Sequence, residues 1–488
     1  MTLKVEGDIG YGSVVGPNLS LAGSLGGSET FPLLVSETEP NPDTWKPLSR
    51  EELESVAGGP GWKKFRSRLV LLFWVGWLTM LGIAVAVIIQ SPRPAPGHLH
   101  WWQKELFYRL QPALFLDVES TGSGPISRVS ERLPYLKSLG IGVMILEGLF
   151  RHDVSILNLT QIDPRLGTLP QTQQLITDSH QAGVKIILDL CEIDLPGGPV
   201  FNNATEMPSN ASIYSQDSLR YWLEHGVSGF EICNADAAFF EKTLKGWREL
   251  INEYSNETNE RIVMVRQMGN SFLALNMSDT VLNSSLVELV SKSLLPLATY
   301  PLSASEIAEA METNLKTLQG EWPSWRVNGP IASELQKIFM VLMMTLPGTP
   351  IFSYGDEISQ TSNKHHLRST ALFNSLSRTR SHEEALLYGT FTFLTFNTTS
   401  LNSGPSNSTA IPPLAFLRSW ECVNFLVLFN LGSEPHSLDM QQFVGLPEEG
   451  MFVTSTGLDR LGSVSLQSIK LQPHEAIVMK LFEVDSDV

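Results

Sequence analysis

The sequence predicts an α/β protein: a (β/α)8 TIM-type barrel and a C-terminal antiparallel β-sandwich, carried on a single transmembrane helix. Three observations predict it. Residues Leu69 to Ile89 form one uninterrupted apolar run without a charge. Beyond it, short apolar strand-like runs alternate with helix-period stretches over about 280 residues, the pattern of a parallel barrel. The last hundred or so residues become β-rich with turns between, as in a small sandwich.

The elements follow in order. Residues 1–68 form a tail. Up to about residue 47 it is rich in Gly, Ser, Pro and acidic residues, with no lasting period, so disorder is expected. A short helix then begins with a capping box at Ser49 and Glu52, and Leu48 and Leu53 can staple across it. Gly58, Gly59 and Pro60 stop it. Leu53 and Val56 give this helix one small apolar face, a candidate docking face for a partner in the membrane.

The run 69–89 has 21 residues. At about 1.5 Å per residue it spans the roughly 30 Å hydrocarbon core of a bilayer. It lies too far from Met1, and is too long, for a cleaved signal peptide. Gly76, Thr79, Gly82 and Ala86 share one arc of the helix, and small residues there allow close packing against another span. Lys63, Lys64, Arg66 and Arg68 precede the run and only Arg93 closely follows it. The positive-inside bias therefore puts the N-terminus in the cytosol and the C-terminus outside.

Residues 90–100 form a neck whose Pro-rich stretch SPRPAPG is expected to be extended. The barrel is expected over 101–380. Strand-like runs include Gly142–Leu146, Lys185–Leu190, Gly229–Cys233, Arg261–Val265 and Thr349–Tyr354. Helical stretches include Ile126–Leu139, Thr172–Ala182, Leu219–His225 and Ala332–Thr345. Over 381–488 the runs LYGTFTFLTF, NFLVLFNLG, MFVTST and EAIVMKLF mark the β-domain.

Charge and sequons agree with an external globular part. The net charge is −17, and the 68 residues before the span contribute little of it, with 7 basic against 9 acidic residues. An acidic ectodomain excludes nucleic acid as a partner and disfavours adsorption to anionic lipid. Sequons occur beyond the span at Asn158, Asn203, Asn210, Asn256, Asn276, Asn283, Asn397 and Asn407, and before it only at Asn18. Their distribution favours a glycoprotein with those eight sites at its surface. The three cysteines, Cys191, Cys233 and Cys422, sit among apolar neighbours and are expected to be buried and inert. Their odd number leaves one thiol free or bonded to another chain. No motif has metal-ligand spacing; His365-His366 is an adjacent pair expected in a polar loop.

Several motifs carry a resemblance. QIDPRLGT (161–168), VKIILDL (184–190), GVSGFEIC (226–233), LPGTPIFSYGDEI (346–358) and LQPHEAIVM (471–479) resemble, in order, the α-amylase superfamily. That family combines a (β/α)8 barrel with a C-terminal β-domain and uses retaining carboxylate chemistry. The resemblance places the nucleophile position at Cys233, with Glu231 where the family has arginine. In RIVMVRQMG (261–269) the acid/base position falls on Gln267. In WRVNGPI (325–331) the places of the family's His-Asp pair fall on Pro330 and Ile331. The third-strand motif reads Asp189-Leu190-Cys191-Glu192-Ile193-Asp194, without its Asn-His pair. Gln267 cannot exchange a proton near neutral pH, Ile331 cannot accept from sugar hydroxyls, and a missing nucleophile removes the covalent route. The family's inserted domain after the third strand is also lacking. The chain is therefore expected to be no enzyme, with no cofactor and no metal.

An amylase-like barrel without its carboxylates, on a type II anchor, is similar to the heavy chains of heteromeric amino-acid transporters. LSREELESVAGGPGW (48–62), LVLLFWVGW (69–77) and Trp101-Trp102 carry this likeness. It implies a subunit that stabilises a multi-spanning light chain and delivers it to the plasma membrane. One span cannot itself build a solute pathway. That family has a neck cysteine that bonds the light chain; here Pro94 occupies the place, so association is expected to be non-covalent. The alternatives are an adhesion or receptor glycoprotein without a transporter partner, and an active α-glucosidase.

Overall fold

The structure is a computed structural model. It describes residues 49–57, 59–90, 97–116, 124–150, 160–191, 211–233, 237–256, 259–267, 286–296, 302–316, 322–329, 331–357, 363–396 and 411–482. The chain falls into two compact units, residues 1–94 and 95–488.

Among the described residues, the first unit holds two helices. Arg50–Ala57 opens with the reciprocal capping box: Glu52 N donates to Ser49 Oγ (3.3 Å) and Ser49 N to Glu52 Oε2 (3.1 Å). The second helix restarts at Pro60 and runs to Gln90, longer than the apolar run because the basic segment before it is helical too. Pro at the first helical position costs nothing, since its missing N–H would have no partner there. The stretch Lys64–Val87 is long and apolar enough to cross a membrane.

The second unit is built on a closed parallel barrel of eight strands in sequence order. They are β1 Leu106–Leu110, β2 Ile141–Leu146, β3 Lys185–Asp189, β4 Gly229–Cys233, β5 Ile262–Arg266, β6 Leu289–Ser293, β7 Ser324–Arg326 and β8 Thr349–Ser353, and β8 closes on β1. Strand residues alternate between two cores, as a period of two requires. Phe107, Val143, Ile145, Ile187, Ile262, Met264, Leu289 and Ile351 fill the inside. Tyr108, Met144, Ile186, Leu188, Phe230, Val263 and Phe352 face the surrounding helices. Beneath the inner layer, Trp102 is buried, and its carbonyl accepts from Thr349 Oγ1 (2.9 Å).

Strands β1, β6 and β7 went unmarked in the sequence because they are short and carry polar residues. The helix expected over 332–345 spans Gln336–Thr345, with a turn before it, while that expected over 219–225 spans Ala211–Glu224. His365 and His366 lie in the first turns of the helix Asn363–His382, not in a loop.

The C-terminal strands are β9 Thr390–Leu394, β10 Leu414–Trp420, β11 Val423–Phe429, β12 His436–Leu438, β13 Glu449–Ser455, β14 Ser463–Ser465, β15 Ile469–Leu471 and β16 Ala476–Phe482. Six form an antiparallel sheet in the order β14-β13-β16-β11-β10-β9, and β12 pairs with β15 alone. The register Val427↔Val478 and Phe416↔Val427 puts one row against the barrel core, whereas Leu426↔Met479 and Ala415↔Leu428 put the other against Leu438, Ile469 and Leu471 of the small ribbon. One buried arginine, Arg418, ties this sheet to the barrel, and a second, Arg380 on the helix Asn363–His382, binds the same helix end. Arg418 on β10 donates to Thr345 O (2.9 Å) and Gly389 O (3.0 Å), and Arg380 to Met344 O (2.9 Å) and Leu346 O (3.0 Å). Together they satisfy carbonyls at and just beyond the C-terminus of Gln336–Thr345, the negative end of that helix. Burial lowers their pKa values to about 10 for Arg380 and about 9 for Arg418.

Candidate functional site

One step further along the inward-facing rows, the barrel becomes charged. Two residues after Phe107 comes Arg109; after Ile145, Glu147; after Ile187, Asp189; after Met264, Arg266. Glu231 on β4 and Arg326 at the end of β7 complete the layer. Arg109 donates to Asp189 Oδ2 (2.9 Å) and Glu231 Oε1 (2.7 Å). Arg266 donates to Glu231 Oε2 (2.9 Å), Glu147 Oε1 (3.2 Å) and Asp189. Arg326 differs. Its two terminal nitrogens reach Asn328 Oδ1 (2.8 Å) and the Gln267 carbonyl (2.6 Å), neither of them a carboxylate.

Burial dominates the electrostatics. It raises the Asp189 carboxyl well above its ordinary value, with the neighbouring Glu231 charge adding to the effect, and raises Glu231 as well. Arg109 is pulled down by burial, but the Glu231 and Asp189 carboxylates more than offset this and its pKa rises. Arg326 falls to about 10 through burial and the nearby Arg109 charge. The layer holds three arginines and three carboxyl groups; Arg109 and Arg266 pair with the acids at close quarters, and Arg326 does not.

The three positions that the resemblance singled out, Cys233, Gln267 and Ile331, lie around this layer. Cys233 ends β4 and is bonded to Cys191, just past β3, with Cα atoms 4.8 Å apart. This corrects the expectation of three buried, inert cysteines. Parallel pairing aligns the ends of β3 and β4, as in the register Asp189↔Glu231, and spacing along the chain says nothing of that. A sulfur held in a disulfide is no nucleophile. Cys422 is free and, against expectation, exposed, in the tight turn between β10 and β11. Gln267 follows β5, and its carbonyl is fixed by Arg326. Ile331 lines a cavity of about 370 Å3 that also borders Arg109, Glu147, Arg266 and Arg326. Pro330 lies outside the described residues.

Of the sequons, Asn256 alone falls on described residues. It is exposed and its Oδ1 accepts from Asn259 N (2.7 Å). Asn158, Asn203, Asn210, Asn276, Asn283, Asn397 and Asn407 lie outside them, as does Pro94 in the neck. Leu53 is exposed, and the Val56 side chain is outside the description. A Cβ added at Gly76 or Gly82 would meet nothing within 4 Å, and Thr79 Oγ1 turns back to Gly76 O (2.8 Å).

Arg109, Glu147, Arg266 and Arg326 were not singled out from sequence. A signal existed: LFYRL, MILE, MVR and SWR each place a charge at or next to the end of an apolar run. One such charge reads as a strand terminus; only barrel closure makes the set a single layer.

Comparison with known proteins bears on this geometry. The family model described as "Solute carrier family 3 member 2 N-terminus" matches residues 35–108, and that described as "Alpha amylase, catalytic domain" matches 109–192. The chain is 28% identical to the amino acid transporter heavy chain SLC3A2 of Rattus norvegicus, over 89% of this chain and 88% of that one. It is 21% identical to the amino acid transporter heavy chain SLC3A1 of Mus musculus, over 91% and 87%. Maltase A2 of Drosophila melanogaster is 34% identical over 36% of this chain and 44% of its own. Among solved structures, the Bacillus licheniformis trehalose-6-phosphate hydrolase superposes with a TM-score of 0.60 at 13% identity, over 79% of this chain and 100% of that one, a likeness of fold. The chain is thus similar to amino-acid transporter heavy chains along almost its whole length, and its barrel is of the amylase type.

Proposed function

We propose that the chain is a non-catalytic type II membrane glycoprotein of the plasma membrane that binds a multi-spanning amino-acid transporter light chain and delivers it to the cell surface. The observation that carries this reading is the similarity to heavy chains along almost the whole chain, anchor included. The barrel mouth supports the loss of catalysis. Cys233, at the nucleophile position, is locked to Cys191, and the buried acids Asp189 and Glu231 are each held by two arginines. The basic residues before the span support a cytosolic N-terminus. Leu53, Val56 and the arc Gly76, Thr79, Gly82 and Ala86 are the proposed contacts with the light chain, and the eight external sequons the proposed glycan sites. The test is co-expression with candidate light chains, scored by surface transport. Replacing residues 48–89 with an unrelated type II anchor should reduce delivery; unchanged transport would move the contacts to the ectodomain.

The Maltase A2 similarity favours a second reading, an active α-glucosidase. Turnover of maltose by the purified chain, abolished by Cys233→Ala, would establish it in place of the first.

A further inference from the structure

The charged end of the barrel adjoins a cavity whose composition is neither that of a sugar site nor that of an inert core. Its volume, about 370 Å3, falls within the ~300–1,000 Å3 range of small-molecule sites. One wall is apolar: Phe339, Met340 and Met343 from the helix Gln336–Thr345, with Ile331 from the segment just before it. The other end is polar and carries Arg326, Glu147 and, at its exposed lip, Asp356.

Arg326 is the distinctive group. It is 9% exposed, and its Nε, like that of Arg266, has no hydrogen-bond partner among the described residues. The terminal nitrogens of Arg109 and Arg266 donate to carboxylates, whereas among the described residues those of Arg326 donate only to neutral oxygens. A buried guanidinium without a carboxylate is costly unless an anion completes it, and its fork suits a carboxylate. Asp356 is the converse, a carboxylate whose one hydrogen bond is from Ser353 N (2.6 Å), with no cation paired to it among the described residues. Among the described residues, Arg326 is therefore the cavity's arginine without a carboxylate partner and Asp356 its carboxylate without a cation. The rest of the layer sets two arginines, Arg109 and Arg266, against Glu147, Asp189 and Glu231, a surplus of acid that does not suit a polyanion such as a phosphate. It suits a ligand with one carboxylate, one cationic group and an apolar body.

We propose that this cavity binds an apolar α-amino acid, its carboxylate on Arg326, its ammonium toward Glu147 and Asp356, and its side chain along Phe339, Met340 and Met343. The chemistry needs no light chain; only its use as a sensor of transported solute rests on the function proposed above.

The test uses the full chain purified in detergent without a light chain, read by calorimetric titration and thermal shift. Leucine is the probe, with 4-methylpentanoate, which lacks the amine, leucinol, which lacks the carboxylate, and maltose alongside. The expected order is leucine, then 4-methylpentanoate, with leucinol and maltose silent. Arg326→Gln should weaken leucine by at least about tenfold and Arg326→Lys by less, since lysine keeps the charge but not the fork. The wild-type ligand series decides the matter even if a variant folds poorly. Equal binding of 4-methylpentanoate and leucine would overturn the amino-acid assignment. Equal binding of leucinol, binding of maltose alone, no binding at all, or undiminished binding by folded Arg326→Gln would overturn the site. Failure here with intact surface delivery of transporters would leave the accessory function standing, and the converse result would separate the two the other way.

Discussion

Breaking the Cys191–Cys233 bond tests whether the barrel mouth is held shut by a covalent link. The perturbation is the double substitution Cys191→Ser, Cys233→Ser. The bond joins residues 42 apart in sequence. In the chain-entropy account, closing a loop of that length removes about 13 cal/mol/K from the unfolded ensemble, which is about 4 kcal/mol at 25 °C. Unfolding entropy of about 2.1 cal/mol/K per residue, over the roughly 390 residues of the second unit, comes to about 0.8 kcal/mol/K. The expected fall in Tm is therefore about 5 °C, measured by scanning calorimetry on the purified chain. Reductant should shift the wild type toward the variant and leave the variant unmoved. Thiol titration of the denatured, unreduced protein should find one reactive sulfur, that of Cys422. Three reactive thiols, or a variant as stable as the wild type, would refute the link and reopen Cys233 as an available thiol.

Three further outcomes are expected. Arg418→Ala should cost about 3 kcal/mol in denaturant unfolding: charged hydrogen bonds are worth about 1.5–3 kcal/mol each, partly offset because a cation is no longer buried. No loss would mean that the sheet does not depend on this clamp. The folded-state pKa of Asp189 lies above its unfolded value near 3.8, so the native state holds the extra proton between those values. Stability should therefore fall as pH rises through that window, and Asp189→Asn should flatten the slope of Tm against pH. An unchanged slope would place the pH dependence elsewhere. Finally, with Pro94 at the neck position, the complex with a light chain should survive mild detergent and separate on a non-reducing denaturing gel. A high-mass band lost on reduction, and absent in Cys422→Ser, would show that the exposed thiol makes the bond.

Much of the architecture is legible in the chain itself. The uncharged run from Leu69 to Ile89 is apolar on every face, and it lies in one helix long and apolar enough to cross a membrane, as read. The capping box at Ser49 and Glu52 is equally local, a matter of three residues, and it forms as read. Gly229–Cys233 forms as read because its apolar alternation is bounded by turn residues on the chain. Strands β6 and β7 escaped notice because Leu289–Ser293 and Ser324–Arg326 owe their pairing to neighbours, not to their own composition. The site divides along the same line. Cys233, Gln267 and Ile331 could be named from motifs, since motifs are contiguous. The bond from Cys233 to Cys191, and the layer of Arg109, Glu147, Asp189, Glu231, Arg266 and Arg326, join residues on or just past different strands. They become neighbours only when eight strands close in register. Sequence thus determined the long apolar helix and the order of elements, because both are written in contiguous residues. Tertiary structure alone decided which charges neutralise one another, because that depends on distances across the barrel that no spacing along the chain encodes.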